Sequence, residues 1–135
     1  MRVLFADTFY WIAMLNSSDK CHQAVLNYGR TQSNIRLVVT DGVIDEVLNY
    51  FAEKGIFLRK NALNLYKSME RDRNIDIIPY TPELRQLGFK LYGERPDKGY
   101  SFTDCISMTV MNQMNISDVL TGDRHFQQEG FTILF

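Results

Sequence analysis

Asp7 ends the apolar run Val3-Leu4-Phe5-Ala6, and Asp123 closely follows the run Val119-Leu120. Short continuous apolar runs read as buried parallel strands, so both carboxylates fall where a strand leaves the core. That edge is where open α/β sheets carry their chemistry. Two more acids stand near expected helix starts: Glu46, a few residues beyond Leu37-Val38-Val39-Thr40, and Asp104 in Ser101-Phe102-Thr103-Asp104-Cys105. Four carboxylates converging on one edge imply a divalent cation. Mg²⁺ and Mn²⁺ prefer hard oxygen donors, keep several waters, and commonly combine carboxylates with the phosphate oxygens of a substrate.

Each acid also has an ordinary explanation. Asp7 and Asp123 precede helical segments and suit the N-cap position. Asp104 is the fourth residue of a capping box begun by Ser101, and a Glu46 on a wet helix face would need no explanation. The set tells more than any member, because independent caps need not share one edge whereas a metal cage requires it. The apolar stripe of Val43, Ile44, Val47, Leu48 and Phe51 leaves Asp45 and Glu46 about equally far to either side, so periodicity does not choose between them. Asp41 is a further competitor, placed first as an N-cap. His22 and His125 read as a helix-surface residue and a packing or supporting residue rather than ligands.

The elements that must position these acids are legible as an alternation. Short β-rich runs fall at about 2–6, 36–40, 75–79, 118–121 and 131–134, with helical patterns between them. Cys21, Ala24, Val25 and Tyr28 mark one amphipathic helix, and Leu84, Leu87, Leu91 and Tyr92 another. Further helical patterns run over about 8–15, 57–72 and 103–114. Pro79 ends the third strand, Thr81-Pro82-Glu83 opens a helix with Pro at its first position, and Gly122 and Gly130 flank a very short helix. The loop from Gly93 to Ser101 borders the site. The expectation is one domain over residues 1–135, a three-layer αβα sandwich.

Composition narrows the class. A chain of 135 residues at 45% hydrophobic buries one respectable core. Cys21 and Cys105 belong to no zinc spacing and are expected reduced. No apolar stretch reaches the ~18 residues of a membrane span, and the N-terminal run turns acidic too soon for a signal peptide, so a cytoplasmic protein away from membranes is expected. The net charge of −1 lacks the positive field of a typical nucleic-acid binder, although cations bound among the acids would leave the exterior less negative.

Taken in order, the strand-Asp7-Thr8 start, Thr40 followed by Glu46, Asp97-Lys98 leading to Ser101-Phe102-Thr103-Asp104-Cys105, and Thr121-Gly122-Asp123-Arg124-His125-Phe126 resemble PIN-domain nucleases of the VapC type. The resemblance spans the whole chain. It implies a five-stranded parallel sheet and a Mg²⁺- or Mn²⁺-dependent ribonuclease leaving 5′-phosphate and 3′-hydroxyl ends. It also implies an acidic site of Asp7, Glu46, Asp104 and Asp123, which selects Glu46 over Asp45, with Thr103 and Thr121 as supporting hydroxyls. An antitoxin partner and a homodimer accompany many proteins of this type.

For RNA, Arg95, Lys98 and Arg124 are the cations nearest the acids in sequence, and Tyr10, Trp11 and Tyr100 the aromatic neighbours on which bases would stack. Arg59, Lys60, Lys67, Arg71 and Arg73 form either a second phosphate track or a wet helix face. In the 57–72 helix Phe57, Leu58, Leu63, Leu65, Tyr66 and Met69 exceed what one buried face needs, which points to self-association. Rival enzymes fare worse. A haloacid-dehalogenase-type phosphatase needs a second acid where Phe9 stands, and a receiver domain needs an Asp where Pro79-Tyr80 stand. The alternative from another class is a degenerate PIN-like module that binds a partner without catalysis.

Overall fold

β1 (Arg2–Ala6) and β2 (Ile35–Thr40) carry the most apolar runs, and both lie inside the sheet, where two covered faces make an unbroken aliphatic strand favourable. The computed structural model describes residues 1–135. β3 (Ile75–Ile78), β4 (Asp118–Leu120) and β5 (Thr132–Ile133) complete a five-stranded, all-parallel sheet in the order β3-β2-β1-β4-β5. Leu4 pairs with Leu37, while Phe5 stands between Val38 on one side and Val119 on the other. Seven helices flank the sheet: α1 (Thr8–Leu15), α2 (His22–Thr31), α3 (Asp41–Phe51), α4 (Ile56–Arg71), α5 (Pro82–Glu94), α6 (Phe102–Gln113) and α7 (Arg124–Gln128). The result is the expected αβα sandwich, with the fifth strand shorter than the 131–134 run suggested. None of the helices is long and apolar enough to cross a membrane.

This order sets the position of the site. The chain winds outward from β1 through β2 to β3, then returns to lay β4 on the other flank of β1, so the winding reverses between β1 and β4. Crossovers leave that point in opposite directions and open a crevice beyond the strand ends. The residues that follow β1 and β4 there are Asp7 and Thr121.

Local signals fix the helices around the crevice. The Thr40 hydroxyl accepts from the Val43 amide to cap α3, and Thr81 does the same for α5 from Leu84, with Pro82 at the first position. Ser101 and Asp104 form a reciprocal capping box on α6. α6 is buried along nearly its whole length, including Cys105, Ile106, Met108, Val110 and Met111, and α5 packs along it through Gly88. A Cβ at Gly88 would meet Ile106 Cδ1 at 2.5 Å and Phe102 Cε1 at 3.2 Å. Gly88→Ala gains about 1 kcal/mol of helix propensity, yet overpacking a closed core costs roughly 1–3 kcal/mol. The variant should therefore melt a few degrees below the parent in a thermal scan. An unchanged or higher melting temperature would mean that the α5–α6 contact is looser than its geometry indicates.

Candidate active site

A cleft of about 510 Å³ opens at the β1–β4 crevice and is lined by Asp7, Thr8, Phe9, Glu46, Gly99, Ser101, Asp104, Thr121, Asp123 and His125. All four acids singled out in the sequence line it, contributed by β1's end, α3, α6 and the turn into α7. No lysine or arginine is among the lining residues. Four carboxylates with no lysine or arginine among them are a donor set suited to a hard divalent ion, so the residues present fit Mg²⁺ or Mn²⁺.

Asp7 occupies the N-cap position of α1 but does not cap it, since its side chain takes no hydrogen bond from the helix's first turn. The carboxylate turns into the cleft instead, is 7% exposed, and accepts from the Thr121 hydroxyl at 2.9 Å. Burial pushes Asp7 up to about 7; the adjacent Thr8 amide and the Thr121 hydroxyl oppose the shift, and the nearby Asp104 and Glu46 charges add to it. Thr121 is fully buried and also accepts from the Asp123 amide at 3.1 Å, so one hydroxyl ties the two strand-end acids into a single unit.

Glu46 accepts a hydrogen bond from the Thr8 hydroxyl, which aims it at Asp7 across the α1–α3 contact. Asp45 and Asp41 do not line the cleft: burial pushes the Tyr80 phenol up and Asp45 adds to it, and Asp41 accepts from the Tyr80 amide at 3.1 Å. Asp41 is not the N-cap of α3 as expected, because Thr40 takes that role.

Asp104 keeps its ordinary duty as the capping-box acid, its carboxylate accepting from the Ser101 amide at 3.2 Å, while facing the cleft. Burial pushes its pKa upward; the Ser101 amide opposes this, and Asp123 adds to it. Asp123 likewise caps α7 by accepting from the His125 amide at 2.9 Å. Structural and cleft-lining roles therefore coexist in these two residues.

His125, expected as a packing or supporting residue, lines the cleft, with Nδ1 3.5 Å from Asp104 Oδ2 and 3.4 Å from Asp123 Oδ1. In a five-residue helix no periodicity exists to reveal such a placement. Thr8 and Ser101 are the other polar lining residues that sequence reasoning passed over, each adjacent to a feature it had marked.

The other residues expected near the site lie outside the cleft lining. Thr103 does not line the cleft; its methyl packs toward Gly42 and seats α6 against α3. Tyr10, Trp11 and Tyr100 are buried at 2%, 2% and 5% exposure and present no face to a base, whereas Phe9 does line the cleft. Arg95 is held bidentately by Glu129 at 2.9 and 3.0 Å. Lys98 and Arg124 are exposed and enter no ion pair. Burial pushes the Cys105 thiol up to about 11, which leaves it unsuited as a nucleophile.

No protein-family model matches the sequence, and no curated protein matches it significantly. Solved structures do match. VapC20 of Mycobacterium tuberculosis, a sarcin-ricin loop cleaving toxin, superposes with a TM-score of 0.84 at 20% identity over 96% of each chain. VapBC from Salmonella typhimurium, bound to DNA, gives 0.66 at 15% identity over 99% of this chain and 98% of that one. VapBC2 from Rickettsia felis, bound to a promoter DNA fragment, gives 0.65 at 14% identity over 98% and 97%. The chain therefore has the PIN-domain fold of these VapC neighbours over essentially its full length.

Proposed function

We propose that this chain is a Mg²⁺- or Mn²⁺-dependent endoribonuclease and the toxin of a toxin–antitoxin pair. The observation that carries the reading is the convergence of Asp7, Glu46, Asp104 and Asp123 on one cleft that no lysine or arginine lines. A non-catalytic module would have no need of four acids whose repulsion costs stability. The fold shared with a VapC toxin supports the nuclease class, and the VapBC assemblies among the neighbours support an antitoxin partner.

Asp7, Asp104 and Asp123 would hold the ion. When bound, it would supply an activated water for in-line attack on a phosphodiester and neutralise charge on the phosphate oxygens. Thr121 fixes the Asp7 carboxylate and, through the Asp123 amide, the turn that presents Asp123. Glu46, oriented by Thr8, stands at the cleft wall as a further ligand or the acceptor of the water's proton. Lys98 and Arg124 are the free cations available to draw the RNA backbone toward the rim, while Arg95 serves the fold through Glu129.

Self-association belongs to the same proposal. On α4, Met69 is buried and Leu58, Leu65 and Tyr66 pack against the core, but Ile56 and Phe57 are each 75% exposed and Leu63 also faces outward. Leu87, Phe89 and Tyr92 of α5 add a second exposed apolar stretch. A homodimer is the proposed state, checked by light scattering at micromolar concentration.

The deciding experiment incubates purified protein with single-stranded and hairpin RNAs in Mg²⁺, Mn²⁺ or EDTA. Cleavage is expected with either ion and none in EDTA, with 5′-phosphate on the downstream product. Undiminished cleavage in EDTA would overturn the reading.

A further inference from the structure

We propose that His125 is a nitrogen donor to the metal of this site, through Nδ1, and that it makes the site selective for Mn²⁺ over Mg²⁺. The inference rests on the metal-dependent reading above and concerns one residue that the acidic set does not include.

The imidazole is held by a relay of contacts. Arg95 grips Glu129 bidentately, Glu129 accepts the Tyr100 hydroxyl at 3.0 Å, and the Tyr100 ring meets His125 edge-on with centroids 5.4 Å apart. Nε2 faces the Gly93–Ser101 loop at Gly99, where a Cβ would come within 3.8 Å. That leaves Nδ1 turned toward Asp104 and Asp123. The Nδ1 atom is closed to solvent and makes no hydrogen bond: the two carboxylates at 3.5 and 3.4 Å miss hydrogen-bond geometry and pair with the ring only when it is protonated. An orphaned buried nitrogen calls for a partner.

A ring that serves only as packing would have its nitrogens in solvent or hydrogen bonded. Here the orphan faces two carboxylate oxygens, and the three donor atoms all lie within 4.8 Å of one another. On an octahedral ion with bonds of about 2.1 Å, adjacent donors stand about 3 Å apart and opposite ones about 4.2 Å. The observed separations need only small side-chain adjustments to meet on one ion.

The donor type decides the metal. Mg²⁺ demands oxygen ligands and dehydrates reluctantly. Mn²⁺ also favours carboxylates, but as a first-row transition ion it takes a nitrogen donor beside them more readily than Mg²⁺ does. An imidazole in the shell therefore adds more affinity for Mn²⁺ than for Mg²⁺.

The test is pulsed electron paramagnetic resonance of the wild-type protein loaded with Mn²⁺, alongside calorimetric titration with Mn²⁺ alone and Mg²⁺ alone. Expected are ¹⁴N modulation of the Mn²⁺ signal that converts to the ¹⁵N pattern on histidine labelling, and binding of Mn²⁺ about 10-fold or more tighter than Mg²⁺, the order of effect that even supporting residues of metal sites exert. His125→Phe, which keeps the ring against Tyr100, and His125→Asn should both lose the modulation and the preference while retaining most of the Mg²⁺ affinity. Melting curves in EDTA establish that each variant folds. Bound Mn²⁺ that shows no nitrogen modulation, yet is lost in Asp104→Asn, would overturn the role of His125 and leave the acidic site standing. No Mn²⁺ binding by the wild-type protein would overturn both.

Discussion

Asp7→Asn is expected to lower metal-dependent RNA cleavage by roughly 10²-fold or more, the scale on which removing one preorganised charged or polar group from a reacting centre acts. The substitution keeps the shape of the side chain and its acceptor for the Thr121 hydroxyl, so the β1–β4 junction should remain intact while the charge is removed. Asp104→Asn should behave alike, since an asparagine oxygen can still accept from the Ser101 amide and preserve the capping box. Glu46→Gln separates the position from its neighbour: it should cost a comparable factor, whereas Asp45→Asn, one residue away with the same change in charge, should leave the rate unchanged. Single-turnover cleavage of one labelled RNA by each folded variant measures all four. Equal losses at Asp45 and Glu46 would show that net charge, and not the cleft geometry, governs activity.

The contrast between Asp45 and Glu46 also shows where sequence reading stops. Strands β1 and β2 were legible because a strand covered on both faces has no polar alternation and reads as an aliphatic run. Helices α5 and α6 were legible through their caps, Thr81-Pro82 and Ser101 with Asp104. These are local signals. The side chain of Asp7 answers to Thr121, which lies 114 positions away, and so its apparent N-cap role dissolves once the sheet forms. Glu46 is chosen by Thr8, 38 positions away, a contact on which the helix wheel is silent. Tyr10 and Trp11 looked available for stacking because α1 is too short and too apolar to show a wet face. In the fold its aromatics are enclosed, with Trp11 Nε1 donating to the Ala6 carbonyl at 3.2 Å. His125 escaped for the converse reason: α7 is too short for any pattern to say which way a ring points.

The energetic signature of the gathered acids should appear in stability as pH and metal are varied. Asp7 titrates at about 7 in the folded chain against an ordinary value of 3.8, mainly because burial disfavours its charged form. The folded state therefore holds this proton more tightly than the unfolded chain, and the associated stability is fully present below the unfolded pKa. It is lost as pH rises from about 4 through about 7. The gap, at about 1.4 kcal/mol per pH unit, amounts to at most roughly 4 kcal/mol for a side chain this buried. In EDTA, the wild-type protein should lose stability between pH 5 and pH 8 relative to Asp7→Asn, whose amide does not titrate, so the variant should be the more stable of the two at pH 8. Mn²⁺ should close most of that gap. An ion that binds only the folded state adds about 2.7 kcal/mol at a hundredfold excess over Kd, several degrees of melting temperature for a domain this size, and the variant should gain little of it. Thermal melts of both proteins at pH 5, 6, 7 and 8, with EDTA or Mn²⁺, measure these differences. A wild-type protein that parallels Asp7→Asn across that range in EDTA would mean that the Asp7 carboxylate is hydrated in the cleft and not held under strain for a cation.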